Sequence, residues 1–320
     1  MPSSDGPPSV SVVVATHGRA RMLADLLDAL EGQSRRDKEI IVVDDESPDD
    51  TPAVLAARGI RSVRVARGGP GLARQQGWQL ARAPVIAFTD DDCVPTAGWL
   101  DALVAPIERG DADLVQGRTL PRPDQADRQG PWSRTQRVES ENGFYQTCNM
   151  AYRREVLETL GGFRPSFAGP NTSGEDTELA WRAREAGYRT AFASEALVHH
   201  EVWPSSYWAY LRDRRRWGMV IQIVKYHPEI RVLAYRRWFY RPSHARLLLG
   251  LAVLAGSVIV RWWAPFALLG AFFTLDLVRT RDRAAPVHRR LLHRAQVLTA
   301  DLVEVAVFAV NSIRYRTLYL

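Results

Sequence analysis

Short apolar runs alternate with stretches of helical spacing along the first part of the chain. Residues 10–15 form a valine-rich run, after which Leu23, Leu26, Leu27 and Leu30 recur on one helical face over residues 22–30. A second run at 40–43 ends on Asp44 and Asp45. Ser47-Pro48-Asp49-Asp50-Thr51-Pro52 then supplies turn and capping residues that open a helix through Arg58. A third run at 63–66, a glycine-rich turn at 68–71, a helix over 72–81 and a fourth run at 85–88 give the order β-α-β-α-β-α-β. That alternation predicts an α/β fold with a mainly parallel sheet and helices on both faces. It also brings the polar strand ends Thr16, Asp44 and Asp90 to one edge.

The pattern then loosens. Residues 99–107 read as a helix, 113–116 as a strand, and 120–141, rich in Arg, Pro and Gln, as a long mobile loop. Order resumes at 148–152 and continues into a helix from Arg153. Gly174-Glu175-Asp176 opens an amphipathic helix through Ala186, closed by Gly187, and 191–200 returns as a strand. From Trp203 to Tyr240 aromatic and arginine residues interleave, as suits a membrane headgroup layer. Residues 247–260 and 264–275 are apolar pieces, each shorter than the roughly 20 residues of a straight span. Joined through Arg261 and Pro265, they read as a re-entrant hairpin or two short tilted spans. Residues 297–313 form a third apolar segment carrying Asp301 and Glu304, read as a helix packed at the membrane. Three buried helices of a soluble domain are the alternative.

Charge divides along the same line. Residues 1–200 carry 23 Lys and Arg against 29 Asp and Glu, and residues 201–320 carry 19 against 7. Only the second part therefore favours an acidic surface, and its apolar runs select a membrane over a nucleic acid. Cys93 and Cys148 make no metal-ligand pattern and fit a reducing compartment. The leader, with its Pro and Ser residues, has neither the basic start nor the apolar core of a signal peptide, so the first part is expected on the cytoplasmic side.

The sharpest chemistry lies where the fourth run meets Asp90, Asp91 and Asp92. Ligands of open α/β sheets collect at the carboxyl ends of strands, and three adjacent carboxylates repel one another unless a cation relieves them. In an extended backbone Asp90 and Asp92 alternate to one side, where both face a hard divalent ion. A solvated acidic turn is the bland alternative. Glu175 and Asp176 stand at a helix opening, where plain capping competes with catalysis and the helix dipole is expected to keep Asp176 ionised.

Five stretches taken together resemble the family 2 glycosyltransferases in order and spacing. They are Val12-Val13-Val14-Ala15-Thr16-His17-Gly18-Arg19, the run from Ile41 to Thr51, Gly71-Leu72-Ala73-Arg74-Gln75-Gln76-Gly77, Phe88-Thr89-Asp90-Asp91-Asp92 and Gly174-Glu175-Asp176-Thr177-Glu178-Leu179. The resemblance covers residues 10–200 and implies a GT-A fold, a nucleotide-diphosphate sugar donor with a UDP sugar favoured, and an inverting transfer assisted by Mn²⁺ or Mg²⁺. Carried over, Thr16 and Arg19 lie along the nucleotide and Asp44 meets the base, with Arg74 and Glu175 also at the substrate. Asp92 is the direct metal ligand. Asp90 or Asp91 reaches the ribose or the ion's water, and Asp176 is the base. His199 or His200 stands where some members place a further metal ligand, with His200 favoured. The family places Gly at Glu46 and Asn at Gln75.

The expected organisation is a flexible leader at 1–9, a catalytic domain at 10–202, interfacial helices at 203–243 and membrane-associated helices at 244–320. The expected acceptor is a lipid carrier or a lipid-linked or cell-envelope glycan, reached at the cell membrane. A non-catalytic nucleotide-sugar-binding or scaffold protein is the competing class, and it would be expected to lack Asp92 or Asp176.

Overall fold

The computed structural model describes residues 6–167, 173–261, 263–264, 267 and 287–320, and the chain divides into two units, 1–206 and 207–320. In the first unit the apolar runs become strands β1 (Val10–Thr16), β2 (Lys38–Asp45), β3 (Arg61–Val65) and β4 (Val85–Asp90). Helices α1 (Ala20–Glu31), α2 (Thr51–Ala57) and α3 (Pro70–Leu80) connect them. β1 pairs in parallel with β2 and β4, and β2 pairs in parallel with β3. Val12, Val13 and Val14 are all fully buried, which is why β1 reads as a continuous apolar run instead of alternating. α1 buries its four predicted leucines, and α3 comes closer still. A Cβ on Gly77 would stand 2.4 Å from Val13 Cγ1, so only glycine lets this helix settle onto the sheet.

Beyond β4 follow β5 (Cys93–Pro95), α4 (Trp99–Glu108), β6 (Leu114–Pro121), β7 (Asn149–Arg153), α5 (Arg154–Leu160), α6 (Glu175–Glu185) and β8 (Thr190–His200). The sheet order is β3-β2-β1-β4-β7-β6-β8-β5. β7 runs antiparallel to β4 and β6, β6 parallel to β8, and β5 antiparallel to β8. The sheet is thus parallel in its first half and mixed in its second. β6 shifts register against β8 at Gly117, where a Cβ would meet Asn149 Oδ1 at 2.3 Å. The Asn149 amide fills that gap. It donates to Arg118 O and Ala196 O at 2.8 Å each and accepts from Trp99 Nε1 at 2.8 Å.

The expectation of a mobile loop at 120–141 is overturned here, and β5 is an addition to the predicted elements. β5 was unforeseen, since three residues behind a carboxylate run carry no alternation to read. The stretch 120–141 is pinned: Thr119 bridges Val138, Arg134 bridges Trp203, and Gln125 and Arg128 donate to the buried Glu201 carboxylate at 2.7 and 3.1 Å. Its polar residues have buried partners, which sequence spacing does not reveal.

The second unit holds α7 (Tyr207–Asp213), α8 (Met219–Tyr226), α9 (Pro242–Val260) and α10 (Val287–Tyr315). α9 starts before the apolar run and reaches 19 residues, and α10 extends past both ends of the expected 297–313 segment. Both are long and apolar enough to cross a membrane, judged by length and composition. The acids of α10 point inward: Glu304 receives Arg214 Nη1 at 3.3 Å and lies 3.1 Å from His244 Nε2. Phe308 packs beside that cluster against Tyr240 and His244. Leu249, Leu251, Val258, Ile259 and Val260 of α9 are exposed. Apart from residues 264 and 267, the apolar piece expected at 264–275 lies outside the described residues.

Candidate active site

The strand ends gather as the alternation implies. Thr16, the last residue of β1, donates its hydroxyl to Asp91 Oδ2 at 2.8 Å. Arg19, in the turn that follows, donates from Nη1 to Asp91 Oδ1 at 2.6 Å and to Asp92 Oδ2 at 3.1 Å. Asp44, at the end of β2, accepts from Ser47 N at 2.7 Å and from Arg64 Nη1 at 2.9 Å. Its neighbour Asp45, which sequence reasoning passed over, accepts from Gly68 N at 2.7 Å and Gly69 N at 2.9 Å and so shapes the turn into α3. Glu46 takes a φ of 59°, a conformation that favours the glycine expected there. Gln75, in the place of the expected Asn, accepts from Trp78 Nε1 and Phe163 N at 2.8 Å each.

The acid run itself splits two ways. The strand ends at Asp90 and the chain turns at Asp91 and Asp92, so the extended alternation that would aim Asp90 and Asp92 together does not persist. Asp90 instead meets Arg74 Nη2 at 2.7 Å, while Arg74 Nη1 reaches Glu175 Oε1 at 2.8 Å. Arg74 thereby ties β4 to the opening of α6. Burial works against the charge of Asp90, but the Arg74 guanidinium outweighs it and holds this carboxyl below its ordinary value. Burial likewise opposes the Arg74 charge, and Asp90 and Glu175 overcome it. At Asp91 burial wins despite Arg19, with Asp92 adding repulsion, and the carboxyl is pushed up to about 6.

Asp92 faces the other way. Its Oδ2 accepts from Trp203 Nε1 at 3.1 Å, and its Oδ1 lies 3.6 Å from His200 Nε2 and 4.0 Å from Cys93 Sγ. His200 Nδ1 sits 2.8 Å from the carbonyl oxygen of Glu201, to which it must donate. That bond leaves the Nε2 lone pair directed at Asp92, an arrangement typical of a metal-ligating histidine. Asp92, Cys93 and His200 offer ligand atoms that all lie within 4.8 Å of one another, so Asp92 and His200 fit a divalent cation. Two expected ligands do not join them. Asp90 is turned to Arg74, and His199 alternates to the opposite face of β8, where it pairs in register with Val94.

Asp176 stands in the first turn of α6. Its Oδ1 accepts from Thr177 N at 2.7 Å and its Oδ2 from Thr147 N at 3.4 Å. The expected lowering by the helix terminus is overruled. Burial, then the charge of adjacent Glu175, pushes this carboxyl up to about 7 against the pull of Arg74 and the backbone amides.

Trp203 was read as part of the interfacial aromatics. It belongs to the first unit, held by the bridge to Arg134, with the Arg19 guanidinium 5.0 Å from its ring centre. Nothing in its sequence neighbourhood distinguishes it from the tryptophans that follow. Cys93 and Glu201 were missed for a related reason, since their importance depends on β5 lying beside β8.

Residues 11–161 match the family described as Glycosyl transferase family 2. Glycosyltransferase AglE of Haloferax volcanii is 29% identical over 215 residues, covering 62% of this chain and 68% of that protein. The pre-mycofactocin glycosyltransferase of Mycobacterium tuberculosis is 28% identical over 219 residues, 62% of this chain and 44% of its own length. The O-antigen chain rhamnosyltransferase WbaN of Salmonella anatum is 26% identical, over 60% of this chain and 66% of its own. The alignments thus span between under half and about two thirds of these relatives. In fold, the chain resembles the mannosyltransferase PcManGT of Pyrobaculum calidifontis, solved with GDP-Man and Mn²⁺. The TM-score is 0.59 at 19% identity, with 95% of this chain and 88% of that one covered. The mixed sheet with its flanking helices is the GT-A fold, and the match to the family 2 glycosyltransferases falls within it, on residues 11–161.

Proposed function

We propose that the protein moves a sugar from a nucleotide-diphosphate sugar to a lipid-linked or cell-envelope glycan acceptor, with inversion, at the cytoplasmic face of the cell membrane. The observation that carries this reading is the pairing of a cation-competent site at Asp92 and His200 with a carboxyl near neutrality at Asp176. Thr16 and Arg19, beside the acid run, are suited to hold the nucleotide, and Asp44 to meet its base. Asp92 and His200 would hold Mn²⁺ or Mg²⁺, whose charge stabilises the departing diphosphate. Asp176 takes the proton of the acceptor hydroxyl as that oxygen attacks the anomeric carbon. The bond from sugar to diphosphate breaks on the opposite face, and the nucleoside diphosphate leaves with its electron pair. A carboxyl near pH 7 is well matched to that proton transfer. Arg74 pairs with both Asp90 and the adjacent Glu175.

The expected preference for a UDP sugar has no support among the relatives, one of which was solved with GDP-Man. The membrane-linked acceptor is favoured by α9 and α10. Labelled GDP and UDP sugars supplied to membranes containing the protein test the proposal. Label should pass into solvent-extractable lipid or envelope glycan, and should stop with EDTA or with Asp176→Asn. Undiminished transfer in EDTA, or label released only as free sugar, would contradict it.

A further inference from the structure

Residues 235–239 form a tight reversal in which Phe239 N donates to Tyr235 O at 3.1 Å and the two residues bridge antiparallel. Its tip is Arg236 and Arg237, with φ of 52° and 66°. Two successive left-handed residues are what Asn-Gly supplies at no strain, so a sequence that spends two arginines here is strained at a place that stability alone would fill otherwise.

The turn is braced, not loose. Arg231 Nη1 donates to Arg237 O at 3.2 Å and Nη2 to Leu318 O at 2.7 Å, and its guanidinium stacks 4.9 Å from the Trp238 ring centre. Leu320 N donates to Trp238 O at 2.9 Å, and Tyr240 N to Leu320 O at 2.6 Å. Everything the bracing presents is exposed. Trp238, Val232, Leu233 and Tyr235 are uncovered, and so are both arginine tips, which among the described residues have no carboxylate partner. α9 begins just beyond, at Pro242.

We propose that this turn docks on an anionic bilayer, with Arg236 and Arg237 taking lipid phosphates and Trp238 and Val232 entering the headgroup layer. The inference rests on the reading that α9 lies in a membrane. The chemistry of the patch selects the occupant: guanidiniums match phosphate in geometry and charge, and tryptophan is at home between water and acyl chains. The part of the chain from residue 201 onward carries 19 Lys and Arg against 7 Asp and Glu, so the charge complementarity extends well beyond the two tips.

Hydrogen exchange on the full chain tests it, in nanodiscs of phosphatidylcholine alone and with about a third phosphatidylglycerol. Residues 248–258 should be protected in both. Residues 232–240 should exchange at least about fivefold more slowly in the anionic discs only, and lose that protection in roughly 0.5 M salt. The double variant Arg236→Asn, Arg237→Gly should melt no lower than wild type, because its new residues suit the turn. It should keep the protection of 248–258 and lose that of 232–240. Equal protection of the turn in both discs, or retained anionic protection in the variant, overturns the proposal. Slowing by inorganic phosphate in phosphatidylcholine discs also overturns it, in favour of a soluble-anion site. Unprotected 248–258 in both discs would instead remove the membrane reading on which it stands.

Discussion

Asp176 shows how far a residue's surroundings override its position. Capping a helix lowers a carboxyl, yet burial and Glu175 push this one up to about 7 from an ordinary 3.8. The native state therefore binds its proton more readily than the unfolded chain. The stability associated with the neutral acid is present below about pH 4 and is lost as pH rises towards 7. Asp176→Asn should accordingly gain melting temperature relative to wild type as pH is raised from 5 to 8 in a thermal scan. As the proposed base, Asp176 must be ionised, so kcat/KM should climb with pH and level off above about 7. The Asn variant should retain donor affinity while turnover falls by roughly two to four orders of magnitude. A variant within a few-fold of wild type would move the base to Glu175. Arg74 supports the same corner. Replacing it by Met strands Asp90 and Glu175, and chemical denaturation should show a loss of about 3 kcal/mol.

Among the elements, periodicity made β1 to β4 and their helices readable, because strands buried on both faces and helices buried on one leave distinct patterns. α3 is the instructive case. Its run was found, but that Gly77 lies against Val13 at a distance excluding any Cβ is a fact of packing. Gly77→Ala improves helix propensity by up to about 1 kcal/mol and creates an overlap that costs about 1–3 kcal/mol. The net result in urea unfolding should be destabilisation. Candidate residues that are local in sequence, such as Asp92 and Asp176 beside their motifs, could be singled out there. The site was illegible where it depends on distant pairing. Trp203 reaches Asp92 only because β8 returns beside β5, and Asp90 turns to Arg74 instead of joining Asp92 only because the strand stops there. Alternation also separated His200 from His199, a distinction available in the sequence once the facing strand was known.

For the whole molecule, charge and apolarity change character after about residue 200, and the chain divides between Ser206 and Tyr207. Residues 207–320 contain α9 and α10, each long and apolar enough to cross a bilayer. The full chain should require detergent for extraction after an alkaline wash, whereas a chain ending at Ser206 should not, as fractionation and blotting would show. In the proposed reading the first unit holds a donor through a divalent ion at Asp92 and His200. Calorimetric titration of GDP and UDP into the full chain, with and without Mn²⁺, tests it most directly. Mn²⁺ should tighten one nucleotide by at least about tenfold in wild type, and that gain should vanish in Asp92→Asn and shrink in His200→Ala. Nucleotide binding that is equally tight with and without Mn²⁺, or a full Mn²⁺ effect in Asp92→Asn, would contradict it.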